Sequence, residues 1–165
     1  MHGRPFMKLY ILSDLHLEFS DFWPFENDAE VVVLAGDIDK RANGIFWARS
    51  AFPDREIIYV PGNHEFYGAQ RLEVLEEMRA AALENGVHLL DDRVVVIDSP
   101  RQQNSVRFIG ATLWTDFRLF GDDMKQPSMM TGQSRLNDFR LIHEGGERFS
   151  PSRSVELHEQ SLVWM

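Results

Sequence analysis

Three short apolar segments of this chain each end in a turn that carries side chains able to bind metal ions. The segments are Leu9–Leu12, Val31–Leu34 and Ile57–Val60. Runs of this length, rich in β-branched or aromatic residues and bounded by Gly or Pro, predict buried strands of a parallel sheet. Because parallel strands share a direction, their carboxyl ends lie along one edge, where open α/β sheets bind their ligands. The pattern therefore predicts an α/β fold with a polar site at that edge.

The turns after these segments supply oxygen and nitrogen ligands. Asp14 and His16 are alternate residues, so in extended backbone their side chains would point the same way. Asp37 follows the second segment, and its two carboxylate oxygens could bridge two ions. Asn63 follows the third segment and offers an amide oxygen. Ligands of these types, without sulfur, favour Mn, Fe, Zn or Ni, and two ions about 3.5–4 Å apart form the usual clamp for displacement at phosphorus.

His64 directly follows Asn63, so its side chain should leave the strand end in a different direction. We expect His64 to lie near the substrate, where it would protonate a leaving oxygen or stabilise developing charge. A histidine in that role requires an orienting partner, usually a carboxylate, and the sequence does not identify one. Gly36 and Gly62 would allow the tight turns that bring the ligand backbones together.

The composition is that of one globular domain of 165 residues, with 44% hydrophobic and 26% charged residues. We expect a single domain over residues 1–165, with residues 1–6 as a disordered lead-in. The net charge of −9 disfavours nucleic acid or an anionic membrane as a partner. It does not exclude a phosphorylated substrate, because bound divalent cations reverse the local charge. The absence of cysteine excludes disulfides and thiolate zinc sites, and the sequence favours a cytoplasmic location.

Helix and strand patterns alternate through the rest of the chain. Apolar residues three to four apart predict a helix over residues 69–85, ended by Asn85 and Gly86. Asn43 is a suitable N-cap for a helix that crosses over from the second strand to the third. Further strands are predicted over residues 87–90, 94–97 and 106–109, the last two paired as an antiparallel hairpin.

The C-terminal third is harder to interpret from its pattern. Residues 121–133 predict a polar loop. Ser150 and Pro151 have the form of an N-cap and a first-turn proline. The helix that they begin should have one face formed by Val155, His158, Leu162 and Met165. It has no terminating residue and ends in an apolar stretch, so we expect the chain to stop within a domain.

Aromatic residues concentrate between positions 19 and 25. We favour a loop that these side chains pin to the core; the alternative is a wall of a pocket beside the site. The members are Phe19, Phe22, Trp23 and Phe25. Trp114, Asp116 and the region of Asp138 are further candidates for the border of a substrate pocket.

The strand-end motifs resemble those of a known superfamily. Asp14-Leu15-His16, Gly36-Asp37 and Gly62-Asn63-His64-Glu65 are similar, in order and spacing, to the first three motifs of the calcineurin-like metallophosphoesterases. The resemblance is clearest over residues 7 to about 120. It implies an α/β fold, a β-sandwich flanked by helices in αββα layers. It also implies metal-dependent hydrolysis of a phosphodiester, a nucleotide or a small phosphomonoester.

The resemblance also implies roles for individual residues. Asp14, His16, Asp37 and Asn63 would be metal ligands, with Asp37 bridging, and His64 would be the catalytic histidine. The complete site would hold two divalent ions, with Mn as the first candidate and Fe, Zn or Ni as alternatives. The Ser/Thr protein phosphatases of the superfamily have Gly-Asp-x-His-Gly and Gly-Asp-x-Val-Asp-Arg-Gly at the first two sites. Neither matches here, which places the chain with the bacterial-type phosphoesterases.

Two later histidine motifs of the superfamily do not occur in this sequence. The remaining histidines are His2, His88, His143 and His158, and none follows an apolar run as those motifs do. We therefore expect a partial metal site, C-terminal strands missing from the fold, and about 80 to 100 residues lacking by domain-size reasoning. Exposed sheet edges would then favour a homo-oligomer. The chain would be weakly active or inactive alone, unless two chains share a centre. The alternative is a non-catalytic phosphoesterase-like scaffold or binding module.

Overall fold

A four-stranded parallel sheet forms the centre of the computed structural model, which describes residues 6–99 and 104–165. Its strands, hydrogen-bonded in chain order, are β1 (Leu9–Leu12), β2 (Val31–Ala35), β3 (Glu56–Val60) and β4 (His88–Leu89). The crossover helices are α1 (Asn43–Ala51), between β2 and β3, and α2 (Arg71–Glu84), between β3 and β4. The predicted strands and both crossover helices are confirmed. The first helix begins at Asn43 itself, with Ala42 rather than Asn43 as its N-cap.

The central strands are apolar on both faces because both faces are covered. On β2, Val32 and Leu34 pack against the helices, whereas Val31 packs on the opposite side of the sheet. On β3, Tyr59 and Ile58 divide in the same way between the two faces. This alternation is the reason that β2 and β3 are continuous apolar runs in the sequence.

The second face of the sheet is covered by an antiparallel hairpin of β5 (Arg93–Ser99) and β6 (Asn104–Gly110), as predicted. Ile97 of β5 packs into the same buried cluster as Ile58. The hairpin loop at residues 100–103 and the first five residues of the expected lead-in lie outside the described residues. The resulting layers of helices, parallel sheet and hairpin agree with the predicted α/β class.

Part of this second face remains exposed on β1. The side chain of Ile11 is 62% exposed, whereas Ile58 at the centre of the same sheet is buried. Val94 and Val96 on the outer face of the hairpin are also exposed. Self-association through these apolar surfaces stays a prediction.

The C-terminal third contains more regular structure than the sequence pattern indicated. Its elements are α3 (Lys125–Arg135), α4 (Asp138–Leu141), β7 (His143–Glu144), β8 (Glu147–Arg148) and α5 (Pro151–Trp164). The predicted polar loop over residues 121–133 is wrong, because most of it belongs to α3. This helix lacks an apolar stripe and contacts the core through Gly132, where an added Cβ would lie 2.7 Å from the Phe117 ring. Contact through a glycine leaves no hydrophobic periodicity to detect.

Helix α5 begins as predicted but buries a different face. The Ser150 side chain accepts a hydrogen bond from the Arg153 backbone N–H at 3.1 Å, which is a regular N-cap. Val155 is buried, but Leu162 and Met165 of the predicted apolar face are exposed. Small residues, Ser154 among them, take the buried positions instead. None of the helices formed by residues 6–99 and 104–165 has the length and apolar character needed to cross a membrane.

The aromatic segment at residues 19–25 does not behave as the favoured interpretation predicted. Phe19, Trp23 and Phe25 are 75–81% exposed, and only Phe22 is half-buried, against Trp47 at a ring distance of 6.2 Å. One aromatic side chain therefore pins this segment, where four were expected.

Candidate metal centre

The turn after β1 is joined to the turn after β2 by three main-chain hydrogen bonds. The backbone N–H groups of Asp14, His16 and Leu17 donate to carbonyls of residues 36, 37 and 38 at 2.8–3.0 Å. Main-chain bonds of this kind do not depend on flexible side chains. The two turns that carry three of the predicted ligands are therefore held as one unit.

Glu65 joins the turns after β2 and β3. Its side chain is fully buried, and its carboxylate accepts hydrogen bonds from the backbone N–H groups of Asp37, Ile38 and Gly62 at 2.8–3.2 Å. A fourth bond comes from the Tyr59 hydroxyl at 2.8 Å. Burial raises the pKa of Glu65, and these donors, which favour the ionised form, oppose that rise. One buried carboxylate thus fixes the distance between two strand ends.

Two glycines let these strand ends approach each other. A Cβ on Gly36 would lie 3.2 Å from the Gly62 Cα, and a Cβ on Gly62 would lie 2.1 Å from Oδ1 of Asp37. A side chain at position 62 would therefore occupy the place of the Asp37 carboxylate. The sequence expectation for these two glycines agrees with this geometry.

Three of the predicted ligands have left-handed backbone conformations. The φ angles of Asp14, His16 and Asp37 are 52°, 47° and 55°. Residues other than glycine seldom adopt this region, and each such conformation costs about 1–3 kcal/mol. Asp14 and His16 therefore converge through two tight turns and not through the alternation of an extended strand. Strain that the surroundings hold in place at these residues points to a functional role.

The same residues could hold a divalent cation. One ligating atom from each of Asp14, His16 and Asp37 lies within 4.8 Å of the others. Nδ1 of His16 is buried and meets no hydrogen-bond partner among the described residues. A buried imidazole nitrogen without a partner is costly unless a ligand satisfies it. The donor set of imidazole and carboxylates fits a transition-metal ion such as Mn²⁺.

Glu18 is the orienting partner of His64 that sequence reasoning missed. Its Oε1 accepts a hydrogen bond from Nδ1 of His64 at 2.7 Å and lies 3.6 Å from Nδ1 of His16. Burial raises the pKa of Glu18, but the hydrogen bond from His64 and the nearby imidazoles outweigh it, so the pKa lies below its ordinary value. Glu18 lies two residues after His16, so its nearness in sequence to two predicted ligands was the available signal.

Asn63 is held by a separate set of polar contacts. Its Nδ2 donates to Oδ1 of Asp138 at 2.7 Å and to the hydroxyl of Tyr67 at 2.9 Å. The Tyr67 hydroxyl donates to the same Asp138 oxygen at 2.7 Å. The Tyr67 ring lies 4.2 Å from the His64 ring. Asp138, 75 residues away in sequence, therefore contacts the candidate site directly.

The surroundings of the site include one exposed aromatic ring and one cavity. The Phe19 ring lies 6.1 Å from His16 and 6.4 Å from His64, which agrees with the alternative interpretation of a wall beside the site. A cavity of 310 Å³ is lined by residues that include Asn63, Trp114 and Asp138. Asp116 does not line this cavity.

Other histidines of the described residues lie outside the metal-compatible groups. These groups contain His16 and His64 together with Asp14, Glu18 and Asp37. Nε2 of His88 pairs with Glu56 at 3.0 Å, and Nδ1 of His158 lies 2.6 Å from the Trp114 carbonyl. In the described part of the chain, these groups therefore contain no imidazole other than those of His16 and His64, and His2 lies outside the described residues.

Comparison with known proteins gives a consistent result. The family model described as calcineurin-like phosphoesterase matches residues 7–144. An uncharacterized protein of Acanthamoeba polyphaga mimivirus is 30% identical over 151 residues, covering 81% of this chain and 51% of that protein. The crystal structure of phosphopantetheinyl hydrolase (PptH) from Mycobacterium tuberculosis matches with a TM-score of 0.65 and 22% identity. That match covers 95% of this chain and 61% of the other and shows a common fold.

The chain thus spans about half the length of the curated relative. The family match covers all three strand-end turns and most of the fold that supports them. The predicted phosphoesterase-type α/β fold is therefore confirmed. This chain belongs to the calcineurin-like phosphoesterase family.

Proposed function

We propose that this chain contributes to metal-dependent hydrolysis of phosphoesters. The observation that carries the proposal is the Glu18–His64 pair beside the Asp14, His16 and Asp37 group. An oriented imidazole next to a metal-compatible cluster is the arrangement expected for acid catalysis at a phosphorus centre. The substrate would be a small phosphodiester, nucleotide or phosphomonoester.

We further propose that the complete site holds two divalent ions, with Mn²⁺ as the first candidate. Asp14, His16 and Asp37 would bind one ion, and Asp37 and Asn63 would contribute to the second. Bound ions of this kind neutralise phosphate charge and activate water for attack. The donor types of the Asp14, His16 and Asp37 group support this assignment. So does Nδ1 of His16, which is buried and has no hydrogen-bond partner among the described residues.

His64 would act on the leaving group. Because Glu18 accepts a hydrogen bond from Nδ1–H of His64, the ring is held in one orientation and Nε2 is the nitrogen available to the substrate. Nε2 would then donate a proton to the leaving oxygen, while the Glu18 carboxylate stabilises the positive charge on the ring. A non-catalytic scaffold has no need for such a pair, so the pair favours the enzyme over the scaffold alternative.

The test is metal-dependent hydrolysis of bis(p-nitrophenyl) phosphate and p-nitrophenyl phosphate after loading with Mn²⁺. His64→Ala should lower kcat by about 100-fold or more, because a positioned acid contributes about 10²–10⁴. Its Mn²⁺ content, measured by elemental mass spectrometry, should stay at the wild-type level. Asp37→Ala should lose both Mn²⁺ and activity.

His88→Ala is the matched control, because His88 of β4 pairs with Glu56 of β3 and lies outside the metal-compatible groups. It should keep wild-type Mn²⁺ content and turnover. A wild-type chain that binds Mn²⁺ and hydrolyses neither substrate would contradict the enzyme proposal and favour the scaffold. Loss of metal in His64→Ala would contradict the role given to His64.

A further inference from the structure

A partly buried polar network links Asn63 to a helix far from it in sequence. The Asn63 amide nitrogen donates to Asp138 Oδ1 and to the Tyr67 hydroxyl, and that hydroxyl donates to the same carboxylate oxygen. The donors of Asn63 and Tyr67 therefore each meet an acceptor within the network.

This network decides which way the Asn63 amide faces. Oδ1 of Asp138 accepts hydrogen bonds, and the donor of an amide side chain is its nitrogen, so the Asn63 amide turns its nitrogen toward Asp138. The amide oxygen is then left on the opposite side of the group, where it can meet a cation. Without a fixed acceptor, the amide could rotate and present either its oxygen or its nitrogen, and a nitrogen that carries two protons does not bind a metal.

Asp138 itself is firmly supported. It is the first residue of α4, and the next residue, Phe139, is almost fully buried in the main core. The end of α4 is bonded to the segment after His64, because the Gly68 backbone N–H donates to the Leu141 carbonyl at 2.9 Å. The carboxylate is thus held by the fold and does not need to be ordered when a metal binds.

We propose that Asp138 is a positioning residue of the metal centre. It orients the Asn63 amide so that the oxygen is available to a divalent ion, and it holds the Tyr67 ring against the His64 imidazole at 4.2 Å. This inference rests on the proposed function, because it assigns a support to one of the proposed ligands. Partners that orient a ligand typically change metal affinity by about 10–100-fold when removed.

The experiment compares Asp138→Ala, Asp138→Asn and the wild-type chain, with Asp123→Ala as an exposed control from the neighbouring segment. Mn²⁺ affinity is measured by calorimetry, and the side-chain amide signals of Asn63 are followed by NMR without metal. Asp138→Ala should weaken Mn²⁺ binding by about 10–100-fold and move the Asn63 signals. Asp138→Asn should stay within about 3-fold of wild type, because its amide oxygen accepts the same two hydrogen bonds.

The outcomes separate this inference from the proposed function. Unchanged Mn²⁺ affinity or unchanged Asn63 signals in a folded Asp138→Ala variant would overturn the positioning role while leaving hydrolysis intact. An equal loss in Asp138→Asn and Asp138→Ala would also overturn it, because the acceptor is retained in the first variant. If the Asp138→Ala effect is present but the wild-type chain with Mn²⁺ hydrolyses no phosphoester, the proposed function fails and the positioning role stands.

Discussion

The strand-end turns and the C-terminal helical segment, residues 122–165, are held in place by different kinds of contact. The turns are joined by main-chain hydrogen bonds and by the buried carboxylate of Glu65. The helical segment contacts the rest of the described chain largely through side chains, such as Ser154 Oγ to the Thr115 carbonyl at 2.8 Å and Arg71 Nε to Glu144 Oε2 at 2.5 Å. Main-chain bonds to Gly68 and Ala69 add to these near α4 and β7. The turns therefore have little freedom to relax, whereas the helical segment can lose single contacts at modest cost. Changes in the turns should affect both chemistry and stability, whereas changes in the helical segment other than at Asp138 should affect mainly stability.

The largest effect should come from Gly62→Ala. The added Cβ would overlap Oδ1 and the backbone nitrogen of Asp37, at 2.1 and 2.6 Å. The two strand ends must separate to accept it, so we expect loss of Mn²⁺ binding and destabilisation of about 3 kcal/mol or more. Calorimetry and urea denaturation measure both effects.

Gly145→Ala is the control for backbone strain without a close contact, because Gly145 has a positive φ and an open environment, whereas Gly62 has no positive φ. It should cost only about 1 kcal/mol and leave Mn²⁺ binding unchanged. Equal effects of the two substitutions would contradict the contact between the strand ends as the cause of the Gly62→Ala effect.

Glu65→Gln should come next. The glutamine keeps one acceptor oxygen but places an NH₂ group among four donors, which leaves buried groups unpaired. We expect a loss of about 3 kcal/mol in the free energy of unfolding. Glu77→Gln, at an exposed ion pair with Arg41, should change stability by less than about 0.5 kcal/mol. Similar values for the two variants would argue against the central role of Glu65.

Glu18→Gln tests the orientation of His64 with a smaller expected effect. The amide oxygen can still accept from Nδ1, but it lacks the charge that stabilises the protonated ring. We expect kcat to fall by about 10- to 30-fold, with thermal stability and Mn²⁺ content near the wild-type values. A fall equal to that of His64→Ala would indicate that the neutral partner no longer orients the ring.

The smallest effect should be the pH response of the helical segment. Burial raises the pKa of Glu144, but hydrogen bonds and charge attraction from Arg71 and Arg153 outweigh it, so the pKa lies below its ordinary value of 4.5. A depressed folded-state pKa contributes stability above pH 4.5, and this stability is lost as the pH falls through the folded-state pKa. Glu144→Gln should therefore lose about 1 kcal/mol at neutral pH and show a flatter acid-unfolding profile below pH 4.5. A steeper acid dependence in this variant would contradict the assignment.

The difference between the strand-bearing region and the helical segment also explains which parts of the fold could be predicted from the sequence. The alternating burial of β2 and β3 and the stripe of α2 leave periodic signals, so the parallel sheet and its crossover helices could be predicted. Helix α3 buries Gly132 beside the partly buried Met129, and α5 buries two serines beside Val155, so each contact leaves only a weak hydrophobic signal. The exposed aromatics at 19–25 show the reverse case, in which apolar residues are present but do not pack.

The sequence by itself determined the strands of the main sheet, the three polar turns and the residues placed in them. These follow from local rules, because a buried parallel strand and the turn after it are encoded by adjacent residues. Only the tertiary structure decided that Glu18 partners His64, that Glu65 joins the turns and that Asp138 orients Asn63. Those contacts join residues up to 75 positions apart. Their side chains are polar and common, so their pairing depends on the way the packed core brings separate segments together.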